Sequence, residues 1–478
     1  MGQREAARPH ILLIMADQLR YDCLGYAGIA PVHTPHLDRL AAEGVGFDAA
    51  YTHFPVCAPA RQSLGCGQRP EVFGGLWNYN MGLKVGALEP SAYSWARSLQ
   101  EQGYQCGYIG KWDVHPEYTP VSYGYDHYID SAALHRKMVA ADYPEVAYTN
   151  GYFGEPDPLP LAHTLTHFTA MQAEQLLERL SATGQGQPWH LRVNFNEPHL
   201  PCRPAQPFAD QYAPADAKEW ESFTDSLQGK PYIQSQQLRN WGIETFGWED
   251  WAPIVARYYA VISQLDDAVG RLLQRLDQLG LREETWVIFT SDHGDMCGGH
   301  RMMDKHYVMY EDVVKVPLIM RMPGVIPAGQ RTDELVYNLL DLPPTIMEVC
   351  GIAAPGQHAL HGRSMLPWMT GQGAALAPAL ANSREEVIAS YNGQQFGLYT
   401  QRMIRTKSWK YVWNLTDVDE LYDLEDDPHE LHNRIGDPAR HELVQQLRKR
   451  LYAALLKDGD PMVRNEWMQR QLLGGHKN

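Results

Sequence analysis

Two apolar runs far apart in the chain each end on a carboxylate. His10-Ile-Leu-Leu-Ile-Met-Ala-Asp17 is one, and Thr285 to Thr290, followed by Ser291-Asp292-His293-Gly294, is the other. Neither alternates apolar with polar residues, so both read as strands buried on two faces, the signature of a sheet covered by helices on each side. Further runs fit the same reading: Val45 to Phe47, Tyr104 to Ile109 leading into Gly110-Lys111-Trp112, and Trp189 to Phe195. Between them lie helical patterns. Thr34 and Pro35 suit a helix start, with Leu37, Leu40 and Ala41 on one face. Ser94 to Gln102, His163 to Leu180 and a long segment near Ile254 to Leu279 follow. In the last of these Val261, Ile262, Leu265, Val269, Leu272 and Leu276 recur at helical spacing. Alternating strands and helices predict an α/β fold with a large, mostly parallel sheet sandwiched by helices.

The chain has 478 residues, too many for one simple core. A Gly/Ala/Pro-rich stretch from Thr370 to Ala381 reads as a linker. Beyond it, Arg402 to Trp413 and Glu420 to Leu424 read as strands and His441 to Leu456 as a closing helix. The expected organisation is a catalytic α/β domain over 1–375 and a smaller C-terminal α+β domain with an antiparallel sheet over 376–478. Net charge is −16, which argues against nucleic acid or an anionic membrane as partner. Seven scattered cysteines suit a reducing compartment. With no signal-peptide pattern and no apolar run of spanning length, the expected location is the cytoplasm. Homo-oligomerisation is left open.

In an open sheet of this kind the ligand lies beyond the carboxyl ends of the strands. Asp17, Lys111, Asn196 and Asp292 all follow expected strands. Asp17-Gln18 and Asp292-His293 are therefore candidate ligand pairs for a divalent cation; an aspartate after a strand is also a common turn former. Cys57 stands in Cys57-Ala58-Pro59-Ala60-Arg61, a C-x-P-x-R string that is rare by chance. Pro204 to Trp251, with Trp220, Trp241, Trp248 and Trp251 among many acids, reads as an irregular pocket wall or as aromatics packing a loop.

These strings together resemble the formylglycine-dependent sulfatase family of the alkaline-phosphatase superfamily. The resemblance includes Thr34-Pro35-His36-Leu37-Asp38-Arg39-Leu40, Glu197-Pro198-His199-Leu200-Pro201, Gly299-His300 with Asp304-Lys305, and Leu421-Tyr422-Asp423-Leu424. It implies that a separate formylglycine-generating enzyme converts Cys57 to an aldehyde. Hydration then yields a geminal diol; one hydroxyl attacks sulfur and the other later expels sulfate. It implies a divalent metal, Ca²⁺ first and Mn²⁺ or Zn²⁺ as alternatives, held by Asp17, Gln18, Asp292 and His293 with residue 57. Arg61 would stabilise the nucleophile and sulfate, Lys111 and Lys305 would grip sulfate oxygens, and His199 would protonate the leaving oxygen.

Several positions depart from the family pattern. Gln18 stands where a second aspartate is usual, and His293 where asparagine is frequent; both resemble the phosphonate monoester hydrolase branch, which also has a substrate asparagine near the position of Asn78. After Lys111-Trp112 the expected histidine is Asp113, with His115 two residues on. Asp113 could act as the base or orient His115, or His115 could be a plain loop residue. The leading expectation is a sulfuric ester hydrolase acting on a sulfated small molecule or glycan. The alternatives are a phosphonate or phosphodiester hydrolase, and a sulfoglycan-binding protein should Cys57 remain unconverted.

Overall fold

The computed structural model describes residues 8–79, 81–182, 186–353, 356, 360–370, 383–475 and 477. In chain order its strands are β1 (His10–Asp17), β2 (Val45–Phe47), β3 (Ala50–Tyr51), β4 (Gln105–Gly110), β5 (His127–Ile129), β6 (Trp189–Pro198), β7 (Thr285–Ser291), β8 (Leu318–Arg321), β9 (Gln330–Thr332), β10 (Val336–Tyr337), β11 (Glu386–Gly393), β12 (Tyr399–Thr406), β13 (Trp409–Asn414) and β14 (Glu420–Asp423). The main sheet has eight strands in the order β5-β4-β6-β1-β7-β8-β2-β9. From β5 to β7 all neighbours are parallel; β8 runs antiparallel to both β7 and β2.

Strand β1 lies at the centre and shows why both faces must be covered. Leu12, Ile14 and Ala16 point to one side, against α1 (Pro35–Ala42), α5 (Leu165–Ala182) and α7 (Trp248–Gln278). Ile11, Leu13 and Met15 point to the other, into a cluster with Ala60 and Leu64 of α2 (Cys57–Cys66), Trp95 and Leu99 of α3 (Trp95–Glu101), and Leu342 and Ile346. The period-2 geometry of a strand thus splits one apolar run between two cores. The expected large, mostly parallel, helix-covered sheet is present.

The long helix α7 starts at Trp248, earlier than the sequence pattern suggests, and contains Pro253. That proline lies within the first two turns, so the helix loses only one early backbone bond to it. Helix α4 (Ser131–Asp142) carries no strong apolar stripe, and among its residues only Ser131 is buried. It begins at a capping carboxylate, Asp130, which accepts from Ala133 N at 2.9 Å.

After residue 382 the chain forms a four-stranded antiparallel sheet, β11-β12-β13-β14. The single run read over Arg402 to Trp413 is a hairpin, because the chain turns between Thr406 and Trp409. The closing helix His441–Lys457 packs Leu447, Leu451 and Leu455 on this sheet. Apart from Thr370 itself, the stretch read as a linker lies outside the described residues, as does the boundary at 375/376. Among the described residues no helix is long and apolar enough to cross a membrane.

Candidate active site

Cys57 is the first residue of α2, preceded by the extended Val56. Pro59 falls in the first turn, where its missing N–H is not needed. Arg61 lies four residues on, so its side chain shares the face of Cys57. C-x-P-x-R is thereby a helix-start geometry that presents a thiol and a guanidinium together. Both are buried, at 2% and 0% exposure.

The carboxyl ends of two central strands meet this helix start. Asp17 from β1, Asp292 and His293 just after β7, and Cys57 offer ligand atoms that all lie within 4.8 Å of one another. His293 Nε2 is 3.2 Å from Cys57 Sγ and 3.8 and 3.7 Å from the carboxylates of Asp17 and Asp292. Arg61 binds both carboxylates, at 2.8 Å to Asp292 and 3.2 Å to Asp17, and its Nη1 donates to the Lys111 carbonyl at 3.1 Å.

Lys111 reaches the site because β4 ends on Gly110 at φ +90°, where a Cβ would lie 1.9 Å from the Asn194 carbonyl oxygen. Only glycine lets β4 approach β6 so closely and turn there. The Lys111 ammonium pairs with Asp17 and, at 3.2 Å, with Asp113. The Asp113 carboxylate thus has a cation beside it, which offsets its repulsion of an anionic substrate. No hydrogen bond joins Asp113 to His115 among the described residues. His115 Nδ1 accepts instead from Glu117 N and Tyr118 N at 3.0 and 3.1 Å, closing a turn, while the residue still lines the cleft.

Gln18 follows the same strand end, and both atoms of its amide are hydrogen-bonded. Lys305 donates to Oε1 at 2.7 Å, and Nε2 donates to Asp295 and Asp304 at 2.5 and 2.9 Å. Lys305 Nζ also lies 3.0 Å from His199 Nε2, while His199 Nδ1 is 2.6 Å from the Leu200 carbonyl oxygen. In the neutral ring the proton therefore sits on Nδ1, given to Leu200, and Nε2 accepts from Lys305. Asn78 Oδ1 accepts from Ala58 N at 3.0 Å, beside Cys57.

The electrostatics follow from burial and mutual charge. Burial opposes ionisation of Asp17, but Lys111 and Arg61 outweigh it and hold the carboxyl well below the usual range. Asp292 is also held down, with Arg61 overcoming desolvation. Burial and the Asp17 charge push the Cys57 thiol up, yet Lys111, Lys305 and His293 prevail and bring it down to about 6. Desolvation disfavours the Lys111 and Lys305 ammonium groups, but Asp17 and Asp304 respectively keep them firmly charged. Position 57 is thus ringed by fixed cations in a water-poor setting, a place built for negative charge.

A cleft of about 570 Å³ opens from Cys57 and is lined by Asn78, Lys111, Asp113, His115 and His199 among others. A second, of about 600 Å³, shares Lys111, Arg136, Asn196 and His199 with it. The tryptophans expected as a pocket wall line neither. Trp251 is fully buried, Trp248 donates to Ala217 O, and Trp220 donates to Cys297 O beneath the Arg20 guanidinium. Trp241 meets Tyr152 and Phe396 edge-on. Their indoles are spent on packing: Trp248 and Trp251 lie in the first turn of α7, and Trp241 ends a helix over Tyr232–Trp241. The aromatic lining comes instead from Tyr79, Trp112, Tyr128, Tyr143 and Tyr148. Sequence reading passed over Arg136, because α4 lacks an apolar stripe; the Asp130 cap is the signal that marks it.

Comparison with known proteins gives these observations a family. The sulfatase family model matches residues 9–352, and that of the N-sulphoglucosamine sulphohydrolase C-terminal region matches 298–457. An uncharacterized sulfatase of Escherichia coli, YidJ, is 29% identical over 97% of this chain and 90% of its own. An ulvan-active sulfatase of Formosa agariphila is 29% identical over 96% of this chain and 83% of its own. Among solved structures, a phosphonate monoester hydrolase from Silicibacter pomeroyi superposes with a TM-score of 0.79 at 22% identity, covering 95% of this chain and 97% of that one; at that identity the likeness is one of fold. The family match spans most of the chain, including each strand end that meets at Cys57, and the chain therefore belongs to the sulfatase family of sulfuric ester hydrolases.

Proposed function

We propose that this protein hydrolyses a carbohydrate sulfate monoester, with position 57 acting as formylglycine made from Cys57 by a formylglycine-generating enzyme. The observation that carries the reading is the convergence of Asp17, Cys57, Asp292 and His293 within 4.8 Å, ringed by Arg61, Lys111 and Lys305. Two carboxylates and an imidazole fit a hard or borderline divalent cation, Ca²⁺ or Mn²⁺ or Zn²⁺. Asp17, Asp292, His293 and residue 57 would hold it. Gln18 can join through the second lone pair of Oε1, the first being taken by Lys305. When bound, such a cation lowers the pKa of a hydroxyl nucleophile and offsets charge on the transferring group.

The chain's own residues do the rest. Arg61 holds the Asp17 and Asp292 carboxylates in place and supplies a permanent positive charge beneath residue 57. Lys111 and Lys305 bind the non-bridging sulfate oxygens and hold the transferring group in place while its bond to the leaving oxygen breaks. His199, with Nδ1 fixed on the Leu200 carbonyl and Nε2 facing the cleft 3.0 Å from Lys305, is the group placed to pass a proton from Nε2 to the leaving oxygen. Asp113, held by Lys111, and His115, fixed by its turn, stand at the cleft wall as the groups available to take a proton during sulfate release. Tyr79, Trp112 and Tyr128 offer aromatic faces for a sugar. The name of the ulvan-active relative supports a polysaccharide origin for the substrate. All seven cysteines are free and buried, which supports a reducing, cytoplasmic setting.

A phosphonate or phosphodiester substrate is the second reading, favoured by Gln18, His293 and the placement of Asn78 on the start of α2 beside Cys57. The test is peptide mass spectrometry across Cys57 after co-expression with a formylglycine-generating enzyme, combined with kcat/KM on sulfate and phosphonate esters. Aldehyde formation with sulfate release that vanishes in Cys57→Ala is expected. A higher kcat/KM for phosphonates would move the assignment to the second reading, and an unconverted Cys57 would remove the nucleophile. Removal of divalent cations by a chelator should abolish turnover and lower the Tm, because two buried carboxylates then lose a shared counter-charge.

A further inference from the structure

The two clefts differ in charge. The one holding Cys57 carries Asp113 and Asp130 in its walls. The adjoining one lacks Cys57, begins at His199 and Lys111, and is flanked by Arg136 and Arg203. Arg203 places its guanidinium carbon over the Tyr148 ring, 3.8 Å from the centroid. Its Nε is buried and has no hydrogen-bond partner. Arg136, on the exposed face of α4, makes no ion pair among the described residues, yet borders both clefts. A buried guanidinium N–H left without an acceptor is costly unless a ligand supplies one. The chain's net charge of −16 makes a local pair of arginines without ion pairs the more distinctive.

The Arg203 charge acts on Asp157 and Glu155 at a distance, but neither carboxyl forms an ion pair with it among the described residues. Asp157 accepts from Tyr148 OH at 2.9 Å and Leu159 N at 3.0 Å. Glu197 is turned so that Oε2 is buried without a partner. Neither forms an ion pair with Arg136 or Arg203 among the described residues.

We infer that the adjoining cleft is a second anion subsite, in which Arg136 and Arg203 bind a sulfate or carboxylate on the leaving-group part of the substrate. This rests on the sulfatase reading above and narrows it. His199, which protonates the leaving oxygen, borders both clefts, so the departing alcohol extends past it into the cleft that lacks Cys57. A guanidinium with a free N–H edge suits the planar oxygen pair of a carboxylate or two oxygens of a sulfate. The substrate class is a polyanionic saccharide, with one sulfate at position 57 and a second acidic group one ring away.

The test uses a matched pair: a disaccharide with a single sulfate, and the same disaccharide with a second sulfate or a carboxylate on the adjoining ring. Binding is measured by calorimetry to Cys57→Ala protein, which holds the ligand without turnover. The doubly anionic sugar should bind at least tenfold more tightly, with the preference shrinking as salt is raised. Arg203→Gln and Arg136→Gln should each remove most of that preference while leaving the singly sulfated sugar within about twofold. Arg136 is exposed, so its variant stays informative should the Arg203 change disturb folding. Equal binding of the pair, or a preference that survives both substitutions, overturns the subsite. Turnover of the matured wild-type protein is scored separately. A charge preference lost in the arginine variants supports the subsite even without sulfate release, and that absence counts against the sulfatase reading alone.

Discussion

At the residue scale Arg61 carries two jobs that the C-x-P-x-R string does not separate. One is proximity to the thiol one helical turn away; the other is neutralising Asp17 and Asp292 where no water reaches them. Removing one partner of a buried ion pair leaves uncompensated charge and costs about 3–5 kcal/mol. Arg61→Ala should therefore lose about that much stability in urea unfolding, and Cys57→Ala, which leaves the charges paired, should lose far less. A comparable loss in both variants would show that Arg61 is not the counter-charge described. Lys111 is different, because its ammonium sits at the cleft rather than under it. Lys111→Ala should lower kcat by about 10²–10³, as read in steady-state assays of matured protein. Asp17, Asp292, Cys57 and His199 were legible as candidates because their neighbours in sequence form recognisable strings. Arg203 was not, since nothing near it in sequence predicts a ring beneath it and an N–H without a partner.

At the scale of elements, β6 holds an acid-sensitive device. His190 is fully buried between the rings of Trp95 and Tyr125, and burial, helped by Arg192, pushes its pKa down from 6.5 to about 3. Between those values the unfolded chain takes up a proton that the folded chain refuses. Stability is therefore intact above pH 6.5 and is lost as pH falls toward 3, at up to about 1.4 kcal/mol per unit. His190→Phe, which keeps an aromatic ring in the slot, should flatten this part of the acid limb when urea midpoints are followed from pH 7 to 4. An unchanged slope would place the acid sensitivity elsewhere. The helices were read unevenly for a physical reason. α7 shows its buried stripe through many turns, whereas α4 lies over the cleft with mostly uncovered side chains, so its sequence carries no periodic apolar signal.

Across the whole molecule the main sheet and the C-terminal sheet are tied by buried polar links as well as apolar packing. Arg69, 1% exposed, donates to the Ile388 carbonyl of β11 and to Asp458 beyond the closing helix, each at 2.7 Å. Lys410 of β13 pairs with Glu311 and Glu430 at 3.0 and 2.7 Å, and Arg384 pairs with Asp341. Such links break only together. Calorimetry should show a single unfolding transition for the chain, and Arg69→Ala should lower its Tm while keeping it single. Two resolved transitions would mean that the division expected near residue 375 marks units that unfold independently.

By itself the sequence determined the elements whose burial is written into their own composition: β1 and β7 with carboxylates at their ends, and the α7 stripe. These follow from local periodicity and capping, which act over a few residues. That Cys57 opens a helix, not a strand edge, with Arg61 on its face came from the structure. The family strings added roles for Lys111, His199 and Lys305. What only the tertiary structure decided depends on contacts between residues distant in sequence. It turned the amide of Gln18 to Lys305, Asp295 and Asp304, set His115 into a turn away from Asp113, sent the tryptophans inward, and brought α4 and Arg203 together around a second cleft. Pairings of that kind depend on strand order and packing geometry, and no local pattern in the chain encodes them.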